Sequence, residues 1–122
     1  MQASLPQHTL MQRAGLAVAH LAMAIAPHSR RIWIACGPGN NGGDGLEAAV
    51  YLQQWGKSPI VTWLGNPDKA PADAAASFQL AAEAGVTFAG VPPHDHDLCI
   101  DALLGIGVQI ALPKARWPTG ST

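Results

Sequence analysis

Apolar and polar residues along this 122-residue chain fall into alternating strand-like and helix-like patterns. Short apolar runs rich in β-branched and aromatic residues predict strands at about 31–36, 58–64, 86–89 and 97–101. Longer segments with apolar positions three and four residues apart predict helices at about 9–26, 44–55 and 71–84. In the first helix, the stripe predicted to face the core consists of Leu10, Ala14, Ala17, Val18, Leu21 and Ile25.

This order of elements predicts an α/β domain with a Rossmann-like, doubly wound parallel sheet and helices on both faces, a three-layer α/β/α arrangement. In the common strand order, the first and fourth strands are neighbours, and ligands bind beyond the carboxyl ends of the strands. We expect one domain over residues 1–122, with an irregular tail over 109–122 because the sequence there has two prolines and no helical or strand pattern.

A glycine-rich segment, Gly-Pro-Gly-Asn-Asn-Gly-Gly-Asp-Gly at 37–45, lies between the first predicted strand and the second predicted helix. It holds five of the chain's 13 glycines. It satisfies Gly-x-Gly-x-x-Gly, but the next strand ends without the acidic residue of a dinucleotide fingerprint, and no Gly-Lys-Ser/Thr follows, which excludes a P-loop. Asn40, Asn41 and Asp44 instead supply amide and carboxylate groups that can bind a cation or a polar ligand. A solvated turn is the alternative interpretation.

Composition and charge narrow the possible functions. A formal net charge of −1 and 12% charged residues give no basic surface for nucleic acid. No apolar run reaches the ~20 residues that a membrane-spanning helix needs, and the N-terminal segment does not resemble a signal peptide. Cys36 and Cys99 lie in predicted strands, and we expect two reduced thiols in a cytoplasmic protein.

Two further groups of polar residues have competing interpretations. His94, Asp95, His96, Asp97 and Cys99 offer metal-ligand atoms, but their spacing fits no standard zinc framework, so a polar loop before the fourth strand is favoured. Arg13 lies off the predicted apolar stripe of the first helix. A solvated side chain is the default there, and contact with a ligand phosphate is the alternative.

The segment at 37–45 resembles the signature loop of the YjeF N-terminal domain family, the NAD(P)H-hydrate epimerases. Residues 10–15, Leu-Met-Gln-Arg-Ala-Gly, resemble the N-terminal helix of that family. Residues 101–107, Asp-Ala-Leu-Leu-Gly-Ile-Gly, resemble its second site segment, which more usually ends in Gly-Thr-Gly. The resemblance spans roughly residues 5 to 108. Family members continue to an Asp-x-Pro-Ser-Gly segment that completes the site, and then to more sheet. We therefore expect this chain to be a truncated portion of the domain, with a sheet that is incomplete on its C-terminal side.

The resemblance implies an epimerase that interconverts the R and S forms of hydrated NADH and NADPH, called NAD(P)HX, in nicotinamide nucleotide repair. It implies a potassium ion held by Asn41 and Asp101. Epimerisation at a carbon that carries a hydroxyl group and a ring nitrogen needs proton transfer, for which Asp101 or Asp44 could serve, and the sequence does not decide between them. The implied substrate-binding residues are Asn40, Asn41, Gly42, Gly43, Asp44, Gly105, Ile106, Gly107, Val108, Gln109, Ile110 and Ala111.

The implied partner is a fused or separate dehydratase that uses ADP or ATP. We also expect a homodimer, because a sheet edge left exposed by the truncation favours association. Because a fold does not determine a function, a non-catalytic binding or scaffold module remains the alternative. A generic Rossmann-like nucleotide-binding domain is a third interpretation.

Overall fold

The computed structural model describes residues 7–111. These residues form three helices and five strands, which in chain order are α1 (Gln7–Ile25), β1 (Arg31–Cys36), α2 (Asn40–Gln54), β2 (Ser58–Trp63), α3 (Ala72–Glu83), β3 (Thr87–Phe88), β4 (Leu98–Ala102) and β5 (Gly107–Ile110).

The five strands form one sheet in the order β3-β2-β1-β4-β5. The pairings of β1 with β2, β2 with β3 and β1 with β4 are all parallel, which confirms the predicted α/β fold class and the adjacency of the first and fourth strands. Strand β5 was not predicted and pairs with β4 in the antiparallel direction. Gln109 and Ile110 therefore belong to a strand rather than to the predicted irregular tail, and residues 112–122 lie outside the described part.

The three helices cover one face of the sheet. Residues opposite each other in register point to the same face, and Ile34, Val61 and Ile100 form such a row. This row joins residues of α1, α2 and α3 in one apolar core. The other face carries Trp33, whose indole N–H donates to the Thr62 hydroxyl at 3.0 Å, and no helix of residues 7–111 packs there. The second helical layer of the predicted three-layer arrangement is thus not found among these residues.

Helix α2 begins at Asn40, four residues before the predicted start. Asn and Gly have poor helix propensities, but tertiary packing holds this first turn in place. A β-carbon at Gly45 would lie 2.8 Å from the Cys36 sulfur, so the glycine lets α2 pack directly on β1. The polar residues of the glycine-rich segment therefore lie on the first turns of a helix instead of in a loop.

The buried stripe of α1 differs from the predicted one. Met11, Gly15, Val18 and Ala22 are buried. Of the predicted stripe, only Val18 is buried and Ala14 is half-buried, while the exposed positions are Leu10, Ala17, Leu21 and Ile25. The helix is apolar on both sides, so its periodicity could not identify the side that faces α2. Small residues on the buried side let the two helix backbones approach closely.

Candidate functional site

The carboxyl ends of β1 and β4 meet at one edge of the sheet and are joined by backbone hydrogen bonds. The Gly37 N–H, directly after β1, donates to the Ala102 carbonyl at the end of β4 at 2.9 Å. In the turn that leads into α2, the Gly42 N–H donates to the Gly39 carbonyl at 3.1 Å. A β-carbon at Gly42 would collide with the Gly37 carbonyl oxygen, so only glycine permits this tight return of the chain. The predicted ligand-binding edge is thus built mainly from backbone.

Asn41 links this turn to the segment that follows β4. Its side-chain amide nitrogen donates to the Leu104 carbonyl at 2.8 Å. With the nitrogen engaged in this way, the amide oxygen is the group left to accept a hydrogen bond or to bind a cation. The bond therefore fixes both the position of the loop after β4 and the orientation of Asn41.

Asp101 lies at the end of β4 beside a groove of about 330 Å³, which is lined by Asp101, Leu103, Leu104, Gly105, Ile106 and Gly107. One carboxylate oxygen of Asp101 accepts the Leu103 N–H at 3.0 Å. The second oxygen remains for a ligand. The side chain of Leu104 is 94% exposed at the groove. A carboxylate and a neutral amide on adjacent elements give a set of oxygen donors that fits a hard cation.

The structure brings some of the predicted substrate-binding residues to this groove and places others elsewhere. Gly105, Ile106 and Gly107 line it, and Asn40 is exposed at the start of α2. Gly43 instead faces Met11 of α1 and Ala74 of α3. Val108, Gln109, Ile110 and Ala111 follow β5 away from Asp101, so that the Ala111 N–H donates to the Asp97 carbonyl near the opposite end of the sheet.

Asp44 is half-buried on the second turn of α2 and is not among the residues that line the groove beside Asp101. Burial, followed by the negative charge of Glu47, raises the pKa of the Asp44 carboxyl above its ordinary value. A perturbed pKa of this kind makes a carboxyl group a candidate for proton transfer. The two candidate acid–base residues therefore have different environments.

A buried polar junction, which the sequence did not predict, lies where α1, α2 and α3 meet. Glu47 is 3% exposed and accepts a hydrogen bond from the Ser77 hydroxyl at 2.6 Å. The His8 Nε2 atom lies 3.3 Å from the same carboxylate oxygen, and its Nδ1 atom lies 3.7 Å from Asp73. We refer to His8, Glu47, Asp73 and Ser77 as the three-helix junction. In the sequence, the sign of this junction was an acidic residue, Glu47, three positions after Asp44.

The polar segment before β4 has structural roles. Asp97 accepts the backbone N–H groups of Arg30 and Arg31 at 2.9 and 3.0 Å, and these bonds lower the pKa of its carboxyl. His96 packs against Trp33 with ring centroids 5.6 Å apart. Within 7–111, no three His, Cys, Asp or Glu side chains converge in a way that could hold a metal ion.

The remaining predictions concern the two cysteines and Arg13. Cys36 and Cys99 are free thiols; burial raises the pKa of Cys36 to about 12, and burial together with the charge of Asp101 raises that of Cys99. Arg13 is exposed, in agreement with its interpretation as a solvated side chain.

Comparisons with known proteins agree with this architecture. Residues 7–117 match the family model described as YjeF-related protein N-terminus. The NAD(P)H-hydrate epimerase of Bordetella pertussis is 42% identical over 107 residues, which cover 87% of this chain and 47% of that protein. The NAD(P)H-hydrate epimerase of Limosilactobacillus fermentum is 34% identical over 110 residues, covering 88% of this chain and 53% of that protein.

Two further similarities extend the comparison. The bifunctional NAD(P)H-hydrate repair enzyme Nnr of Thermofilum pendens is 32% identical over 113 residues, which cover 84% of this chain and 22% of that protein. The crystal structure of the yeast protein ynu0 superposes with a TM-score of 0.73 at 21% identity, over 91% of this chain and 52% of that one, and shows a shared fold. The chain spans about half the length of the curated epimerases it matches. None of the helices described within 7–111 has the length and apolar character needed to cross a membrane.

Proposed function

Because the chain belongs to the YjeF-related N-terminal family, we propose that it acts as an NAD(P)H-hydrate epimerase, interconverting the R and S forms of hydrated NADH and NADPH. The observation that carries this proposal is the hydrogen bond from Asn41 to the Leu104 carbonyl. It joins the first turn of α2 to the segment after Asp101, so that the two polar segments predicted to form one site meet at the edge of the sheet where α/β proteins bind their ligands.

The site residues of this proposal follow from their positions. The substrate lies in the groove beside Asp101, against Gly105, Ile106 and Gly107. Asn41 and Asp101 hold a potassium ion through the amide oxygen and the free carboxylate oxygen. The ion supplies a fixed positive charge beside the reacting ring. The first turn of α2, from Asn40, offers unpaired backbone N–H groups and the positive end of the helix dipole to the phosphates of the dinucleotide.

Epimerisation at a carbon that carries a hydroxyl group and a ring nitrogen requires a group that moves a proton. Asp101 is the candidate that lines the groove, and Asp44 is the candidate whose pKa is raised. If Asp101 binds the cation, its charge is held in the ionised form, which favours Asp44 as the proton-transfer group. The Asp44→Asn and Asp101→Asn variants separate the two roles, since loss of the cation ligand also removes any dependence of the rate on potassium.

A coupled assay tests the proposal. The R form of the hydrate is supplied with a dehydratase specific for the S form and with ATP, and the appearance of reduced cofactor is followed with and without this chain. We expect the chain to accelerate reduction, and to do so more strongly in potassium than in a bulky organic cation. If the rate equals that of spontaneous epimerisation while calorimetry shows that the hydrate binds, the chain is a binding module and not an enzyme.

The epimerised product needs a second activity that removes the added water, which we propose is the partner dehydratase. The Thermofilum relative is named a bifunctional NAD(P)H-hydrate repair enzyme, which supports two linked activities. The free thiols of Cys36 and Cys99 support a reducing, cytoplasmic setting.

A further inference from the structure

The three-helix junction connects the first turn of α1 to both other helices through the ring of one histidine. His8 is the second residue of α1, and its side chain is 27% exposed. Its Nε2 atom lies 3.3 Å from a carboxylate oxygen of Glu47 on α2, and its Nδ1 atom lies 3.7 Å from an oxygen of Asp73 on α3. The two nitrogens of a single ring therefore face carboxylates on two different helices.

The Nδ1 atom of His8 is not satisfied in this arrangement. It is buried from solvent and has no hydrogen-bond partner among residues 7–111, although Asp73 is its neighbour. Buried polar atoms are nearly always hydrogen-bonded, so an unpaired one requires an explanation. A neutral imidazole carries one N–H group and one lone pair, and a lone pair repels a carboxylate. Whichever nitrogen carries the single hydrogen, neutral His8 would turn the lone pair of the other toward a carboxylate.

Ser77 indicates where the hydrogen of the contact between His8 and Glu47 lies. The Ser77 hydroxyl is 2.6 Å from the same Glu47 oxygen and 3.2 Å from the Met11 sulfur. A hydroxyl donates one hydrogen, and a carboxylate oxygen is a stronger acceptor than a thioether sulfur. The Glu47 oxygen therefore accepts from Ser77, and the hydrogen between Glu47 and His8 belongs to Nε2. Only a second ring hydrogen, on Nδ1, then makes the approach to Asp73 favourable.

The charged groups that face His8 are all acidic. Glu47 and Asp73 contact it, and Asp44 lies one turn before Glu47, whose charge reaches it. Two further titratable side chains of α1 lie more than one turn along the helix and outside the junction, Arg13 and His20. Within 7–111, no basic side chain except His8 forms an ion pair with either carboxylate in contact with it. A buried charge without a counter-charge is costly, so the charge of Glu47 requires a positive His8.

We propose that His8 is an imidazolium ion in the folded protein and that its second proton holds the first turn of α1 against α2 and α3. With two N–H groups, the ring donates to Glu47 and to Asp73 at once and joins all three helices. When that proton leaves, one nitrogen repels its carboxylate, and the first turn of α1 is released. Because histidine changes its charge between about pH 5 and 8, this is a pH-dependent switch in the physiological range. The switch does not depend on the proposed epimerase activity.

The direction of the pH effect depends on which state binds the proton more tightly. The folded state holds the proton of His8 between two carboxylates, whereas the unfolded chain exposes it to water. Folding is therefore linked to proton binding at this side chain. The stabilisation is present at acidic pH and is lost as the pH rises through the range in which histidine loses its proton.

Urea unfolding of His8→Gln tests the switch on either side of that range, at about pH 5 and about pH 9. Glutamine does not titrate, so the difference from the unmodified chain isolates His8 from the other titrating groups. We expect the unmodified chain to be more stable at the lower pH, and its advantage in the unfolding equilibrium constant to shrink by about two- to fivefold at the higher pH, as for a partly solvated ion pair. His94→Gln, in the exposed loop before β4, is the matched control and should show no such change. An advantage that is equal at both pH values would overturn the proposal.

Asp73→Asn separates the second proton from every other effect of His8. The amide N–H of an asparagine can donate to the lone pair of Nδ1. A neutral His8 with its hydrogen on Nε2 would then satisfy both contacts. In the Asp73→Asn background, the effect of His8→Gln on stability should therefore no longer depend on pH. If the pH dependence survives in this background, the second proton is not what holds α1.

Nitrogen NMR of the imidazole ring reports the protonation of His8 directly. The two nitrogens of an imidazolium have similar chemical shifts, whereas those of a neutral ring differ widely. We expect similar shifts at about pH 5. They should separate at the pH at which the Met11 and Gln12 amides begin to exchange faster with solvent, after correction for base catalysis, because this exchange reports opening of the first turn. A neutral His8 at about pH 5, or exchange of these amides that does not follow its charge, would overturn the proposal.

Discussion

The first two turns of α2 present two polar sides that are built in opposite ways. On the side of the sheet edge, Asn41 bonds to a backbone carbonyl and keeps an oxygen free, beside a groove open to solvent. On the side of α1 and α3, Glu47 is 3% exposed and is engaged by Ser77 and His8. The first side has polar groups left for a ligand, and the second has used its polar groups within the protein.

This difference indicates that the groove side binds the ligand and that the junction side stabilises the fold. Buried polar groups must be paired, because an unpaired one costs free energy, and a paired one in turn fixes the elements that supply the partners. The three-helix junction therefore fixes the position of α2. The ligand-binding groups on the groove side are held in place by that fixed helix. Variants on the two sides should fail in different ways, with loss of activity on the groove side and loss of stability at the junction.

The largest effect is expected for Asp101→Asn on the groove side. Under the proposed function it removes a charged ligand of the cation and a candidate acid–base group, and such groups contribute about 10²–10⁴-fold to a rate. We expect a loss of that size in kcat/KM with little change in Tm, measured by the coupled assay and by thermal unfolding. Asp95→Asn, in the exposed loop before β4, is the control and should retain its activity. A large fall in Tm for Asp101→Asn would show that Asp101 stabilises the fold, as the junction residues do.

Gly42→Ala tests whether the tight turn connects the two sides. Its β-carbon would collide with the Gly37 carbonyl oxygen, and overpacking of this kind costs about 1–3 kcal/mol. Because the collision lies at the start of α2, we expect both lower stability and lower activity. Gly39→Ala is a matched control, since a β-carbon there meets no atom within 4 Å. The explanation would fail if the two alanine variants unfolded at the same urea concentration.

Glu47→Ala addresses the junction. It leaves Ser77 and His8 without their buried acceptor, and an unsatisfied buried group costs about 1–3 kcal/mol. We expect this loss of unfolding free energy in urea titrations, with activity retained per folded molecule. Glu83→Ala, on the exposed end of α3, should change stability by less than about 0.5 kcal/mol. Equal effects for the two glutamates would show that the junction does not support the fold.

The sequence predicted those features whose signals lie within a short segment. Strands β1, β2 and β4 were found within a few residues, because each is a continuous apolar run that is buried between its neighbours. The meeting of the segments after β1 and β4 followed from the rules of parallel sheets and was confirmed by the bond from Asn41 to Leu104.

Features that depend on distant contacts were missed. The start of α2 was placed too late because packing onto the sheet overrides the poor helix propensity of its asparagines and glycines. The buried side of α1 was misassigned because both of its sides are apolar. Glu47 and Ser77 are 30 residues apart and meet only when α3 has packed on α2. Strand β5 has only Val108 and Ile110 as apolar residues, too few for a recognisable pattern.

Asp44 lies between the two sides of α2, and Asp44→Asn should have the smallest effect on stability. Its pKa is raised by burial and by the charge of Glu47, so its folded pKa lies above its unfolded pKa of about 3.9. The folded state then binds the proton more tightly, and stability falls as the pH rises through the folded pKa. Asp44→Asn removes this loss, so the variant should be slightly more stable than the unmodified chain at pH 7, by less than about 1 kcal/mol because the group is partly solvated.

A double-mutant cycle with Glu47→Gln identifies the source of the shift in Asp44. If the charge of Glu47 contributes, the gain from Asp44→Asn at pH 7 should be smaller in the Glu47→Gln background, and both gains should vanish well below the unfolded pKa. Equal gains in the two backgrounds would leave burial as the sole cause. A loss of stability at pH 7 would instead mean that the ionised carboxylate makes a favourable contact. The activity of Asp44→Asn should also be measured. If this variant is inactive but slightly more stable, Asp44 belongs with the residues of the groove side, because its native side chain lowers stability in exchange for function.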